Sequence, residues 1–189
     1  AGETLNLQHF SCFLFNRDSV KYAICRRRGR KVDTERNGGI KMGAYQLKNE
    51  ELTLTVISAG AEMKSLKDNK TEQEYLWQAD PKFWGRTSPV LFPIVGNYVQ
   101  KQSVYEGKTY TLSQHGFARD MEFDLESQTE EEIWFVLKDT ESTLEKYPFH
   151  FILKVGYRLS GRQVEVMWKV ENPNDKKMYF SIGGHPAFN

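Results

Sequence analysis

From residue 42 to the end of the chain, apolar side chains return at every second position in one short segment after another. Successive side chains of an extended backbone point to opposite faces, so segments of this kind are stable only as strands with one face covered. LTLTVI at 52–57, EYLW at 74–77, KTYTL at 108–112, MEFDLE at 121–126 and EEIWFVLK at 131–138 fit the pattern. Phe149, Phe151, Leu153 and Val155 share one strand face, and Val164, Val166, Trp168 and Val170 share the next, with Ser160-Gly161 as the hairpin turn between them. VLFPIV at 90–95 is an apolar run broken by Pro93, which suits a strand end or a bend facing a cleft. MYFSI at 178–182 is expected as the last strand. No helix longer than a few turns is expected, and the amphipathic helices that a doubly wound α/β sheet needs are missing. The fold class predicted is all-β, an antiparallel β-sandwich.

Length and charge set the organisation. The 189 residues suffice for one domain with a sizeable core. Residues 1–41 hold nine basic and four acidic side chains, against seventeen and twenty-one in residues 42–189. The leading segment, with RRRGRK at 26–31, reads as a basic N-terminal extension, native or introduced by cloning, and 42–189 as the domain. The near balance of charge over the whole chain gives no broad positive field, so nucleic acid is not expected as a partner. No run approaches the length of a membrane-spanning helix and no secretory signal is visible, so a cytoplasmic protein without a membrane partner is expected. Cys12 and Cys25 form no C-x-x-C pair and are expected as free thiols.

Four histidines are available for chemistry, at positions 9, 115, 150 and 185. His9 lies in the leader, and His150 alternates with an aromatic strand face. His115 and His185 differ, since both sit beside glycine in loops that follow strands, where a scaffold can hold a side chain against a ligand. In QHGFARD (114–120), Gly116 allows close approach, Phe117 offers an apolar wall and Arg119 a fork of donors; a surface pair of Arg119 with Asp120 is the plain alternative. In GGHPAFN (183–189), Pro186 restricts the backbone after His185, and Phe188 lines the same hollow. Imidazole titrates near neutrality and can protonate a ring oxygen, which makes His185 the leading catalytic candidate. FWGRTSPVLFPIVGN (83–97) adds Arg86 among Phe83, Trp84 and Phe92, of which at least two are expected in the core. Arginine beside aromatic rings suits a polyhydroxylated ligand.

WGRTSPVLFPIVG, HGFARD and FSIGGHPAFN, in this order, resemble the signatures of aldose 1-epimerase proteins of the galactose mutarotase-like superfamily, nearest to its bacterial LacX-like branch. The resemblance runs from about residue 43 to 189. It implies a large twisted β-sandwich with a cleft on one sheet, a small-molecule sugar as ligand, and interconversion of α and β anomers by acid and base, with no cofactor and no metal. It assigns His185 as the acid, His115 as a second substrate-contacting histidine, and Arg86 and Arg119 as cleft arginines; Phe117 and Phe188 are expected to line the same site from the loop readings above. It also implies a glutamate base well beyond GGHPAFN, for which this sequence has no counterpart. A fragment of a mutarotase-like enzyme, inactive or slow as it stands, is therefore expected. Uncovered sheet edges would then favour self-association. The alternatives are a sugar-binding or sugar-sensing module without catalysis, and a structural β domain.

Overall fold

The computed structural model describes residues 43–189, so the readings on the basic leader, including His9, Cys12 and Cys25, lie outside the described residues. β1 (Ala44–Lys48), β2 (Leu52–Ile57) and β3 (Glu62–Asp68) form an antiparallel sheet in that order. The β1–β2 turn is closed by Asn49, whose Oδ1 accepts from the N–H groups of Glu51 and Leu52 at 2.9 and 2.8 Å. Leu52, Leu54 and Val56 are at most 1% exposed, each a burial worth about 1.5–3 kcal/mol.

β4 (Val90–Leu91) follows a long connection, and β5 (Gln102–Tyr105) and β6 (Lys108–Thr111) form a separate hairpin. β7 (Asp124–Gln128), β8 (Glu132–Lys138), β9 (Ile152–Ser160) and β10 (Gln163–Glu171) make the second large sheet, antiparallel throughout in the order β10-β9-β8-β7. One turn of helix, α1 (Glu141–Leu144), separates β8 from β9, with Thr140 and Thr143 capping each other's backbone N–H. β11 (Gly183–Gly184) pairs antiparallel with β4.

The two large sheets face one another. Tyr45 of β1 meets Phe135 of β8 edge-on at 5.3 Å between centroids, and the buried Tyr157 hydroxyl of β9 donates to Ala61 O at 2.6 Å. Between them lies one core, in which Phe92 is in ring contact with Phe117, Tyr147, Phe151 and Phe180. The all-β antiparallel sandwich expected from the alternation is thus present, with β2, β8 and β10 on the expected segments; β9 begins only at Ile152, so Phe149 and Phe151 precede it, and it runs on through Gly156–Ser160.

Several elements differ from expectation. EYLW makes only single bridges, Lys67 to Glu74 and Leu76 to Phe188. MEFDLE enters its ladder only at Asp124, because Phe123 N–H donates to Ser58 O and Glu122 bridges Ala59, tying 122–123 to the end of the first sheet. Among the described residues MYFSI joins no named strand: Ser181 N–H is spent on Pro93 O and its hydroxyl accepts from Val95 N–H, Ile182 makes a single bridge, and a ladder resumes at the glycines of β11. Of Phe83, Trp84 and Phe92, Phe92 alone is in the core; Phe83 is 73% exposed and Trp84 half-buried.

Candidate active site

The HGFARD loop is built on one carbonyl. Phe92 O accepts from Phe117 N–H at 3.0 Å and from Ala118 N–H at 3.2 Å, and Gly116 makes a parallel bridge to Phe92. Gly116 has φ +71, and a Cβ there would stand 2.2 Å from Phe92 O, so the loop can come this close only with glycine. The neighbouring His115 also has positive φ and is locked to Gly96 in both directions. Its N–H donates to Gly96 O at 2.8 Å, and Gly96 N–H donates to its Nδ1 at 3.0 Å. Because Nδ1 accepts, the neutral ring carries its proton on Nε2, the nitrogen left to meet a ligand. Burial holds the His115 pKa below the ordinary value, and the positive charge of Arg119 and the His185 ring add to the effect.

The GGHPAFN segment is carried past the same place by pairing with the chain around β4. Beyond β11, His185 N–H donates to Pro89 O at 3.1 Å and Ala187 N–H to Thr87 O at 2.9 Å, while Trp77 N–H donates to Ala187 O at 3.0 Å. The His185 ring is exposed, its centroid 6.4 Å from that of His115 and 5.0 Å from that of Trp84. Trp84 is held in turn through its carbonyl, which accepts from Trp77 Nε1 at 2.8 Å.

Two arginines complete the cluster. Arg86 donates to Asp120 Oδ1 at 2.5 Å and to Arg119 O at 3.4 Å. Arg119 donates from Nη2 to Gln114 O at 2.7 Å; its buried Nε makes no hydrogen bond, with Asp120 Oδ2 3.8 Å away. Asp120 is thus shared, and the Arg119–Asp120 surface pair is only part of the arrangement.

Beneath this cluster lies Glu62, a carboxylate only 6% exposed. Its Oε1 accepts from the buried N–H groups of Thr87 and Ser88 at 2.7 and 2.8 Å, with Lys64 Nζ 3.6 Å away. It thereby anchors the backbone immediately after Arg86.

His115, His185, Arg86 and Arg119 therefore come together in one cluster. Phe117 is turned into the core at 7% exposure, stacked with Phe151 at 5.9 Å, and lies under the loop rather than along an open wall. Phe188, 43% exposed, sits on the bridge to Leu76. His150 is apart, its Nδ1 2.7 Å from Asp139 Oδ2. Sequence reading missed Trp84 as the neighbour of His185, Asp120 as the partner of Arg86, and Glu62. Only Glu62 had a local signal, an acid at the buried start of a strand beside Gly60 and Ala61.

Among the described residues, no group of three or more His, Cys, Asp or Glu side chains is arranged to hold a metal ion, and no helix is long and apolar enough to cross a membrane.

The chain is similar to the chromosomal and plasmid forms of Protein LacX from Lactococcus lactis subsp. lactis, at 39% identity over 150 residues, 76% of this chain and 50% of each relative. It spans about half the length of the curated relatives it matches. A galactose mutarotase related enzyme from Lactobacillus acidophilus superposes with a TM-score of 0.77 at 45% identity, over 78% of this chain and 49% of that one. A galactose mutarotase-like protein from Lactobacillus casei gives 0.76 at 38%, over 78% and 50%. Residues 43–189 match the family model described as aldose 1-epimerase, and the chain belongs to that family.

Proposed function

We propose that the cluster of His115, His185, Arg86 and Arg119 is the acid side of a site that binds a free aldose and interconverts its anomers. The observation that carries this reading is the convergence of two loop histidines, with ring centroids 6.4 Å apart, beside a half-buried tryptophan and two arginines. A ring face of Trp84 offers apolar cover for a sugar's C–H face, and the arginine forks supply hydroxyl donors.

In the proposed reaction His185, protonated, donates to the ring oxygen as the C1–O5 bond breaks. The anomeric hydroxyl loses its proton to a base, and its oxygen becomes the carbonyl of the open aldehyde. Rotation about C1–C2 and the reverse transfers close the ring as the other anomer. His115, neutral with its proton on Nε2, donates to a sugar oxygen and fixes the ring against His185. The base is assigned to no residue of this chain; family resemblance implies a glutamate beyond the matched motifs. One positioned proton-transfer group alone is worth roughly 10²–10⁴-fold.

Polarimetric relaxation of freshly dissolved α-galactose and α-glucose tests this reading. Because no residue of this chain is assigned as the base, the expected result is a slow rate, only modestly above buffer, that falls to the buffer value in His185→Ala. A rate equal to buffer for the unaltered chain, with sugar still bound at the two histidines, would keep the sugar site and remove catalysis by this chain. An equally fast His185→Ala variant would remove His185 as the acid.

A further inference from the structure

Residues 183–187 run beside residues 87–91, joined to them by backbone bonds. Gly183 and Gly184 pair with Leu91 and Val90, His185 N–H donates to Pro89 O at 3.1 Å, and Ala187 N–H donates to Thr87 O at 2.9 Å. The place of the His185 ring is therefore set by where residues 87–89 lie. That short stretch cannot brace itself. Thr87 and Ser88 stand at a bend, so their consecutive N–H groups converge instead of alternating between two neighbouring strands, and Pro89 has no N–H to give. Both convergent groups are spent on one atom, Glu62 Oε1, at 2.7 and 2.8 Å. Thr87 and Ser88 are buried, so solvent cannot serve them instead.

Glu62 is itself firmly held. It opens β3 opposite Ile57 of β2, and the preceding Ala61 O accepts from the buried Tyr157 hydroxyl of β9 at 2.6 Å. Gly60 N–H donates to Met121 O at 2.7 Å, and a Cβ on Gly60 would stand 2.8 Å from Arg119 O. One corner of the first sheet thus supports both loops, the HGFARD loop through Gly60 and the His185 segment through Glu62. His115 is secured separately, by Gly96 and by the approach of its loop to Phe92 O, contacts that do not pass through Glu62. The carboxylate is 6% exposed, with Lys64 Nζ 3.6 Å away. A position that had only to fill the core would be served as well by an apolar side chain.

We infer that Glu62 is the positioning residue for His185. By fixing the bend at Thr87 and Ser88 it sets the two carbonyls, Thr87 O and Pro89 O, on which the histidine segment hangs. The same two bonds hold the backbone directly after Arg86, so one buried side chain aligns the histidine and the arginine with each other. What His185 does when so placed rests on the sugar-site reading, whereas its placement by Glu62 rests on these bonds.

The histidine Cε1–Hε1 NMR signals of the full chain, recorded without and with galactose, test this role. The His185 ring stands 5.0 Å from Trp84 between centroids, so its signal carries a ring-current shift that reports where the ring stands with no ligand bound. Glu62→Ala should move the His185 signal toward its position in the urea-unfolded chain, leave that of His115 in place, and raise the galactose Kd about tenfold. Glu62→Gln, which keeps an acceptor for both N–H groups, should restore the signal and the Kd. Glu62→Asp, one methylene too short to reach both, should displace His185 in the same direction and carries the test if Glu62→Ala does not fold. A folded Glu62→Ala or Glu62→Asp variant whose His185 signal and galactose Kd match those of the unaltered chain overturns the inference. So does one in which the His115 and His185 signals shift alike, the mark of general loosening. If the unaltered chain binds no galactose, the sugar reading fails, and the ligand-free signals still decide the role of Glu62.

Discussion

Gly116→Ala provides the sharpest test of how the site is built. The position has φ +71, and a Cβ there meets three backbone atoms: Phe92 O at 2.2 Å, Phe92 C at 2.5 Å and Pro93 N at 2.7 Å. None of these can turn aside as a side chain would. The left-handed backbone alone costs a residue with a Cβ about 1–2 kcal/mol. Relieving the contact also requires the loop to lift from Phe92, which loosens the bonds from Phe117 N–H and Ala118 N–H to Phe92 O, and a buried donor left unsatisfied costs about 1–3 kcal/mol. The substitution should therefore destabilise the protein by about 2–5 kcal/mol. Gly107→Ala is the control: φ is +79 there and nothing lies within 4 Å of the new Cβ, so only the backbone cost of about 1–2 kcal/mol remains. Urea denaturation of both variants measures the difference. If Gly116→Ala lies within about 0.5 kcal/mol of Gly107→Ala, the close approach to Phe92 is not what fixes the loop.

Other outcomes follow from neighbouring contacts. Glu62→Ala should cost about 3 kcal/mol in denaturant titration by stranding the N–H groups of Thr87 and Ser88, and Glu62→Gln, which keeps an acceptor, clearly less. Tyr157→Phe should cost about 1 kcal/mol through its bond to Ala61 O, with no loss of β content by circular dichroism. The His115 ring should titrate below the ordinary value of about 6.5 in an NMR pH series, and Arg119→Met should move its midpoint upward by removing a facing positive charge. The sign for stability follows from the lowered pKa. Between the folded and unfolded pKa values the unfolded chain binds more protons, so the contribution of His115 is full above the unfolded pKa and is lost as pH falls toward the folded one.

Much of the fold was legible because β2 and β8 bury one face and leave the other open, and β9 and β10 largely follow, so period two is written directly into them. β3 was not, since in EMKSLKD the first two residues are both buried where a register shift breaks the alternation. MYFSI misled for the converse reason: it alternates as a strand does, but Ser181 ties it to Pro93 and Val95, and only Ile182 at its end makes a bridge. At the site, glycine and histidine adjacent in two separate loops were enough to single out His115 and His185. The company they keep was not legible. Trp84 lies about a hundred positions from His185, and Asp120 is brought to Arg86 only when the loop folds over Phe92. Phe117 looked like a cleft wall because sequence gives no direction for a side chain beside a glycine with positive φ.

The central claim, that His115 and His185 face one sugar, is most directly tested by following the Cε1–Hε1 NMR signals of the four histidines during titration with galactose. The account predicts that the His115 and His185 signals move together and saturate with a single Kd while those of His9 and His150 stay in place. Signals of His115 and His185 that do not move, or that move no more than the other two, would contradict it.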